Sequence, residues 1–133
     1  MNQNVQKLYE IAQKEPRKIL GLMSGTSMDG LDIALCTIIG SGKATQLAVD
    51  AFTSVPFDID TKAKIQSVFS KQEVSLQQLT LMNAWLANKY AELVQKTLSD
   101  WGRVPNDIDL IASHGQTVFH APKSLHKQTD FDN

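Results

Sequence analysis

Between Ser75 and Trp101, the apolar residues Leu79, Met82, Leu86, Tyr90, Val94, Leu98 and Trp101 recur every three or four positions. That spacing lines one face of an α-helix. Ser75 can cap it with Gln78 as a capping-box partner, Gly102 stops it, and Pro105 prevents its resumption. A helix with one long apolar stripe must bury that stripe against another layer. The chain before it has a different period. Residues 19–23, 31–39 and 44–55 are rich in aliphatic and β-branched side chains and read as three strands. A turn at 24–30 separates the first two, Gly40-Ser41-Gly42 signals a hairpin, and Pro56 stops the third. Asp58 or Asp60 can cap a short helix that places Ile65, Val68 and Phe69 on one face. After the long helix, residues 107–113 read as a fourth strand built on Ile108, Leu110 and Ile111. Residues 1–15 carry Val5, Leu8, Tyr9 and Ala12 at helical spacing, ended by Pro16.

The order β-β-β-α-α-β predicts an α/β fold with a mixed sheet. Three hairpin-linked strands are followed by a helical crossover, which sets the fourth strand parallel to a neighbour. The long helix covers one face of that sheet. Residues 1–16 form an N-terminal extension or short helix, and 17–133 form the folded unit. Everything after the fourth strand is polar and turn-rich, so the sheet reads as truncated, the N-terminal part of something larger.

Charge narrows the function. Thirteen Lys and Arg against fourteen Asp and Glu give a net charge of −1. This argues against bulk electrostatic binding of nucleic acid and leaves room for a local anion site. No apolar run nears the ~18 residues that span a bilayer. Lys7, Glu10, Lys14, Glu15, Arg17 and Lys18 break any signal-type stretch, so a soluble cytoplasmic protein is expected. The single cysteine, Cys36, fits a reducing compartment and reads as a small core residue.

The most informative stretch is Ser24-Gly25-Thr26-Ser27-Met28-Asp29-Gly30-Leu31-Asp32. Gly25 and Gly30 match the first half of a phosphate loop, but Leu31 and Asp32 stand where that motif needs Lys and Ser or Thr. A strand also follows where a P-loop requires a helix. What remains is a hairpin tip with two glycines, three hydroxyls and a carboxylate. Such a tip can present backbone N–H groups to an anion. A carboxylate beside a phosphate calls for a divalent cation between them, so Asp29 or Asp32 points to Mg²⁺. An ordinary hairpin turn with an Asp-Gly dipeptide accounts for the same residues.

A second stretch, Ser113-His114-Gly115-Gln116-Thr117-Val118-Phe119-His120-Ala121-Pro122, follows the fourth strand. Together the two stretches closely resemble the signatures S-G-T-S-x-D-G-x-D and S-H-G-Q-T-x-x-H-x-P of anhydro-N-acetylmuramic acid kinases. The resemblance runs from about residue 17 to the end. It implies a ribonuclease H-like half of a sugar-kinase/actin-type fold, with ATP enclosed between two lobes. It also implies phosphorylation of 1,6-anhydro-N-acetylmuramic acid at O6 with hydrolytic opening of the anhydro ring, for cell-wall recycling. Under it, Gly25, Thr26, Ser27, Met28, Asp29, Gly30, Leu31 and Asp32 form the ATP phosphate loop, with Asp29 and Asp32 toward Mg²⁺. His114 and Gln116 become sugar-contacting residues. The aspartate base that activates water is expected beyond Asn133, so the 133 residues alone are expected to be inactive. The alternative is a non-catalytic fragment or regulatory homologue that keeps the fold and an exposed sheet edge for a homodimer. A metal-dependent nuclease would need acidic residues converging from several strands, which the sequence does not offer. His114, His120 and His126 fit no common zinc spacing. Trp85 and Trp101 read as packing anchors, and Asp107 and Asp109 as solvated residues at the strand end opposite the cleft.

Overall fold

The computed structural model describes residues 2–127, 129 and 130. Residues 131–133, the end of the expected 17–133 unit, lie outside the described residues. Eight elements follow one another as α1 (Gln3–Gln13), β1 (Arg17–Ser24), β2 (Gly30–Ile39), β3 (Gln46–Pro56), α2 (Ile59–Gln66), α3 (Leu76–Asp100), β4 (Leu110–Gln116) and α4 (Lys123–His126). Short 3₁₀ turns occupy Gly42–Ala44 and Pro105–Asp107.

The sheet order is β3-β2-β1-β4. The two hairpin pairs are antiparallel, and β1 pairs with β4 in parallel. This is the mixed sheet with a helical crossover that the element order predicts. Strand alternation decides what α3 covers. Leu20 and Leu22 of β1 and Leu31, Ile33 and Leu35 of β2 point to one face and are buried. They meet Leu86, Tyr90, Val94 and Leu98 of the α3 stripe in one core, joined by Phe57 and Ile65. Each fully buried aliphatic side chain contributes about 1.5–3 kcal/mol relative to exposure, so this layer dominates the fold. The other face carries Met23, Phe52 and Leu110, all exposed. Cys36 belongs to that face by alternation and is half-buried. It is therefore not the core residue expected from its apolar neighbours.

Several boundaries differ from the sequence reading. β3 begins at Gln46, because residues 42–44 complete the hairpin as a 3₁₀ turn. β4 runs from Leu110 to Gln116 rather than over 107–113, so His114 and Gln116 lie within the strand and not after it. Pro105 opens a turn in which the Asp107 carboxylate accepts the Val104 N–H at 3.0 Å, delaying the strand. Asp109 is not solvated: it accepts Lys14 Nζ at 2.6 Å and the Lys18 N–H at 2.8 Å. Burial pushes its carboxyl up, but these hydrogen bonds and the Lys14 charge outweigh that and hold it below the usual value. They tie the tail of α1 and the start of β1 to the approach of β4. The capping box at Ser75 is only half made. Ser75 Oγ accepts the Gln78 N–H at 3.3 Å, while the Gln78 side-chain amide turns to Ser67 Oγ at 2.8 Å. Residues 123–126 form one helical turn where no closing element was expected. Gly102, at φ +64°, ends α3 as anticipated.

α2 is fixed at its N-terminus through one carboxylate. Asp58 caps it by accepting the Thr61 N–H at 2.7 Å, and Lys89 of α3 lies 3.1 Å from the same carboxylate. The Thr61 backbone hydrogen bond first, then the Thr61 hydroxyl and Lys89, hold the Asp58 carboxyl down at about 2. An ordinary aspartate in the unfolded chain titrates near 3.8. Its stabilisation is therefore complete above pH about 4 and lost as pH falls through about 2. Urea midpoints measured across that window should fall less steeply for Asp58→Ala than for the unsubstituted chain. Identical slopes would show that the cap carries no linkage.

Candidate functional site

The parallel pairing of β1 with β4 brings the two distinctive sequence stretches to one end of the sheet. Ser24 ends β1 in register with Gln116 at the end of β4, after an irregularity between Leu22 and Ser24. The carboxyl ends of adjacent parallel strands are where α/β sheets present ligand groups. A loop at 25–29 leaves β1 there, and the segment after Gln116 leaves β4 beside it.

The loop is held from below and open above. The Ser24 hydroxyl is buried and donates to Gln116 Oε1 at 2.6 Å. The Gly25 carbonyl accepts the Met28 N–H at 3.3 Å and Gln116 Nε2 at 3.4 Å. Met28 has φ +55°, an unusual backbone region for a residue with a side chain, and packs its thioether against the core. The Asp29 carbonyl accepts the Phe57 N–H at 2.9 Å, tying the loop to the end of β3. Thr26, Ser27 and Asp29 are exposed at the tip. Lys62 of α2 stands 3.7 Å from the Asp29 carboxylate. Leu31 is fully buried in the core, so only its backbone can face a ligand.

The two glycines of the loop answer different demands. A Cβ on Gly30 would collide with the Val55 carbonyl and lie 3.0 Å from Pro56 Cα, because β2 and β3 meet closely at the Gly30–Pro56 pair. A Cβ on Gly25 would meet nothing within 4 Å. Packing thus requires glycine at 30 and leaves open space at 25.

Asp32 sits two residues into β2, opposite Met23 and Ser54 on the face away from α3, and accepts a hydrogen bond from the Ser54 hydroxyl. Asp29 and Asp32 thus leave the loop in different settings, one at the tip and one on the outer sheet face. No group of three or more His, Cys, Asp or Glu side chains that could hold a metal occurs among the described residues. His114 is exposed and shares the outer face with Leu110 and Ala112, while Gln116 turns toward α3. The sequence reading treats His114 and Gln116 as a pair, and the sheet separates them. It also brings in two residues that the sequence reading did not single out for the site. Lys62 offers no signal beyond being a helix lysine. Tyr90 reads as one more apolar stripe position, yet its hydroxyl reaches Gln116 Oε1 at 3.3 Å and its ring stacks on Phe57 at 6.1 Å. Burial raises the Tyr90 phenol above its ordinary value, offset in part by the Ser24 hydroxyl, so it stays a donor at neutral pH.

Beside this end of the sheet, an open groove of about 910 Å³ runs between α3 and β4, past Leu79, Leu86, Val94 and Ile111 to Tyr90 and Gln116. Among the described residues no charged side chain lines it, and its surface is mainly apolar. A polyhydroxylated ligand there would leave most of its hydroxyls unpaired. The loop tip, with Thr26, Ser27 and Asp29 exposed, is polar by contrast.

A family model for anhydro-N-acetylmuramic acid kinase matches residues 17–130. The anhydro-N-acetylmuramic acid kinase of Pseudoalteromonas atlantica is 49% identical over 133 residues, 100% of this chain and 33% of that protein. Its counterpart from Pseudoalteromonas translucida is 48% identical over the same shares. The one from Caldanaerobacter subterraneus is 38% identical over 119 residues, 90% of this chain and 30% of that protein. The chain therefore spans about a third of the length of these curated relatives.

Gly30→Ala should destabilise the chain by about 1–3 kcal/mol, since two backbones rather than flexible side chains would have to separate. Urea denaturation measures this. A loss under about 0.5 kcal/mol would show that the β2–β3 entry adjusts freely.

Proposed function

The chain belongs to the anhydro-N-acetylmuramic acid kinase family, and from that premise we propose that it supplies the phosphate-binding part of a kinase acting on 1,6-anhydro-N-acetylmuramic acid. The reaction transfers the ATP γ-phosphoryl to O6 and opens the anhydro ring with water, in peptidoglycan recycling in the cytoplasm. The observation that carries this reading is the parallel β1–β4 pairing, which sets the two signatures side by side at one end of the sheet.

Phosphoryl transfer depends on positioning and charge neutralisation more than on covalent chemistry from the protein. The tip at 25–30 fits that role. Its backbone N–H groups, with the Thr26 and Ser27 hydroxyls, would donate to phosphate oxygens. The open space over Gly25 lets a phosphate approach the backbone closely. Lys62, beside Asp29, adds a positive charge at the same place. Mg²⁺ keeps several waters and needs only one or two carboxylates, so exposed Asp29 and Asp32 would hold it, directly or through water. When bound, the ion would neutralise phosphate charge. His114, exposed on the second signature, is the residue offered to the sugar. Water activation at the anomeric carbon needs a carboxylate base, and this reading takes that base from the part of the family's length that the chain does not span.

The test joins these 133 residues to the remaining two thirds of the Pseudoalteromonas atlantica relative. With ATP, Mg²⁺ and the anhydro-sugar, that chimera should form a sugar 6-phosphate, and the 133 residues alone should not. Gly25→Ala should leave the urea midpoint unchanged yet raise the KM for MgATP about tenfold, because its methyl fills space meant for phosphate. A chimera that makes no sugar phosphate rejects the reading, and an unchanged KM removes Gly25 from the phosphate site.

A further inference from the structure

Gln116 is the point where the two signatures touch, and all of its hydrogen-bonding capacity is spent inside the protein. Its Oε1 accepts from the Ser24 hydroxyl at 2.6 Å and the Tyr90 hydroxyl at 3.3 Å. Its Nε2 donates to the Gly25 carbonyl at 3.4 Å and the Thr117 carbonyl at 3.2 Å. A side-chain amide has two acceptor sites and two donor hydrogens, so four partners exhaust it. The orientation follows from the partners. The carbonyls of Gly25 and Thr117 can only accept, so the amine must face them, and the oxygen is left for the two hydroxyls. Ser24 and Tyr90 are both buried, and the groove beside α3 reaches Tyr90 and Gln116 from the other side.

We infer that Gln116 is a positioning residue for the phosphate loop, rather than a sugar contact. It draws the Gly25 carbonyl inward, toward β4. A peptide group that points its C=O inward turns the N–H of the next residue, Thr26, away from the protein, toward the place where an anion would lie. The Met28 N–H secures the same carbonyl from the other side of the turn. Tyr90 extends the link to α3, so the loop is referenced to the helix layer as well as to the sheet. The inference rests on the phosphate-loop reading of 25–30 and adds what holds that loop in shape.

The experiment separates positioning from contact. In the chimera, Gln116→Ala and Gln116→Glu should each raise the KM for MgATP and lower kcat by about tenfold, with the KM for the sugar within about twofold of unsubstituted. Gln116→Glu is the sharper change, since a carboxylate cannot donate to the two carbonyls and repels both. Tyr90→Phe, which removes one donor and keeps the ring, should raise the KM for MgATP about threefold and serves as the variant least able to disturb folding. Ser24→Ala combined with Gln116→Ala should be no worse than Gln116→Ala alone, because the two act through one hydrogen-bonded unit. A rise confined to the sugar KM, or additive effects of Ser24→Ala and Gln116→Ala, would overturn the inference. Amide NMR of the 133-residue chain reads the loop without catalysis. Gln116→Glu should shift the signals of 25–29 and leave those of α1 in place, and unmoved loop signals would overturn the inference even if the chimera proved inactive.

Discussion

The arrangement depends on one contact between chain segments that are far apart in sequence: the parallel pairing of β1 with β4. Parallel strands cannot be joined by a tight turn, so the chain between them must cross over. Here the crossover contains β2, β3, α2 and the 25-residue α3. The apolar stripe of α3 packs on the β1 and β2 side chains Leu20, Leu22, Leu31 and Ile33, while β4 stays largely exposed beside the groove. The same pairing aligns the end of β1 with the end of β4, and so brings the two signatures together.

Polar contacts fix that register at both ends. At the start of β1, Asp109 takes hydrogen bonds from Lys14 and from the Lys18 backbone. Nearby, Lys18 Nζ reaches Thr37 at 2.5 Å and Asp50 at 2.7 Å, and the Lys18 hydrogen bond holds the Asp50 carboxyl below its usual value. At the other end, Gln116 meets Ser24 and the Gly25 carbonyl. A slip of β4 by one residue against β1 would break both sets of contacts. Because β4 is largely exposed, these polar ends, more than apolar burial, resist such a slip.

Much of this was legible in the sequence. Periodicity of three to four located α3, β-branched runs located the first three strands, and the element order implied a mixed sheet with a parallel fourth strand. The two signatures identified the loop at 25–30 and the end of β4 with the segment that follows it. The missed features share a cause: they are side-chain choices between partners far apart in the chain. Asp109 looks like a solvated acid until Lys14 and the Lys18 N–H arrive from 91 to 95 residues away. Gln78 has a local partner in Ser75 but takes Ser67 instead. Tyr90 is indistinguishable from its apolar neighbours along the stripe, because nothing local tells that its hydroxyl meets Gln116. Cys36 has apolar sequence neighbours, and only strand alternation assigns it to the outer face. Position along a periodic element predicts which layer a residue joins, but not which polar atom it will find there.

The uncovered outer face of the sheet bears on the heat capacity of unfolding. That quantity grows with the apolar area that becomes wet when the chain opens. Met23, Val49, Phe52 and Leu110 already meet water in the folded chain, and Leu47 does so near the far end of β3. Their hydration is therefore largely present on both sides of the transition and drops out of the difference. For these 133 residues the curve of stability against temperature should be flatter than for a domain of equal length with both sheet faces packed. Its shallow dome would reflect how much of the sheet is wetted before any unfolding occurs.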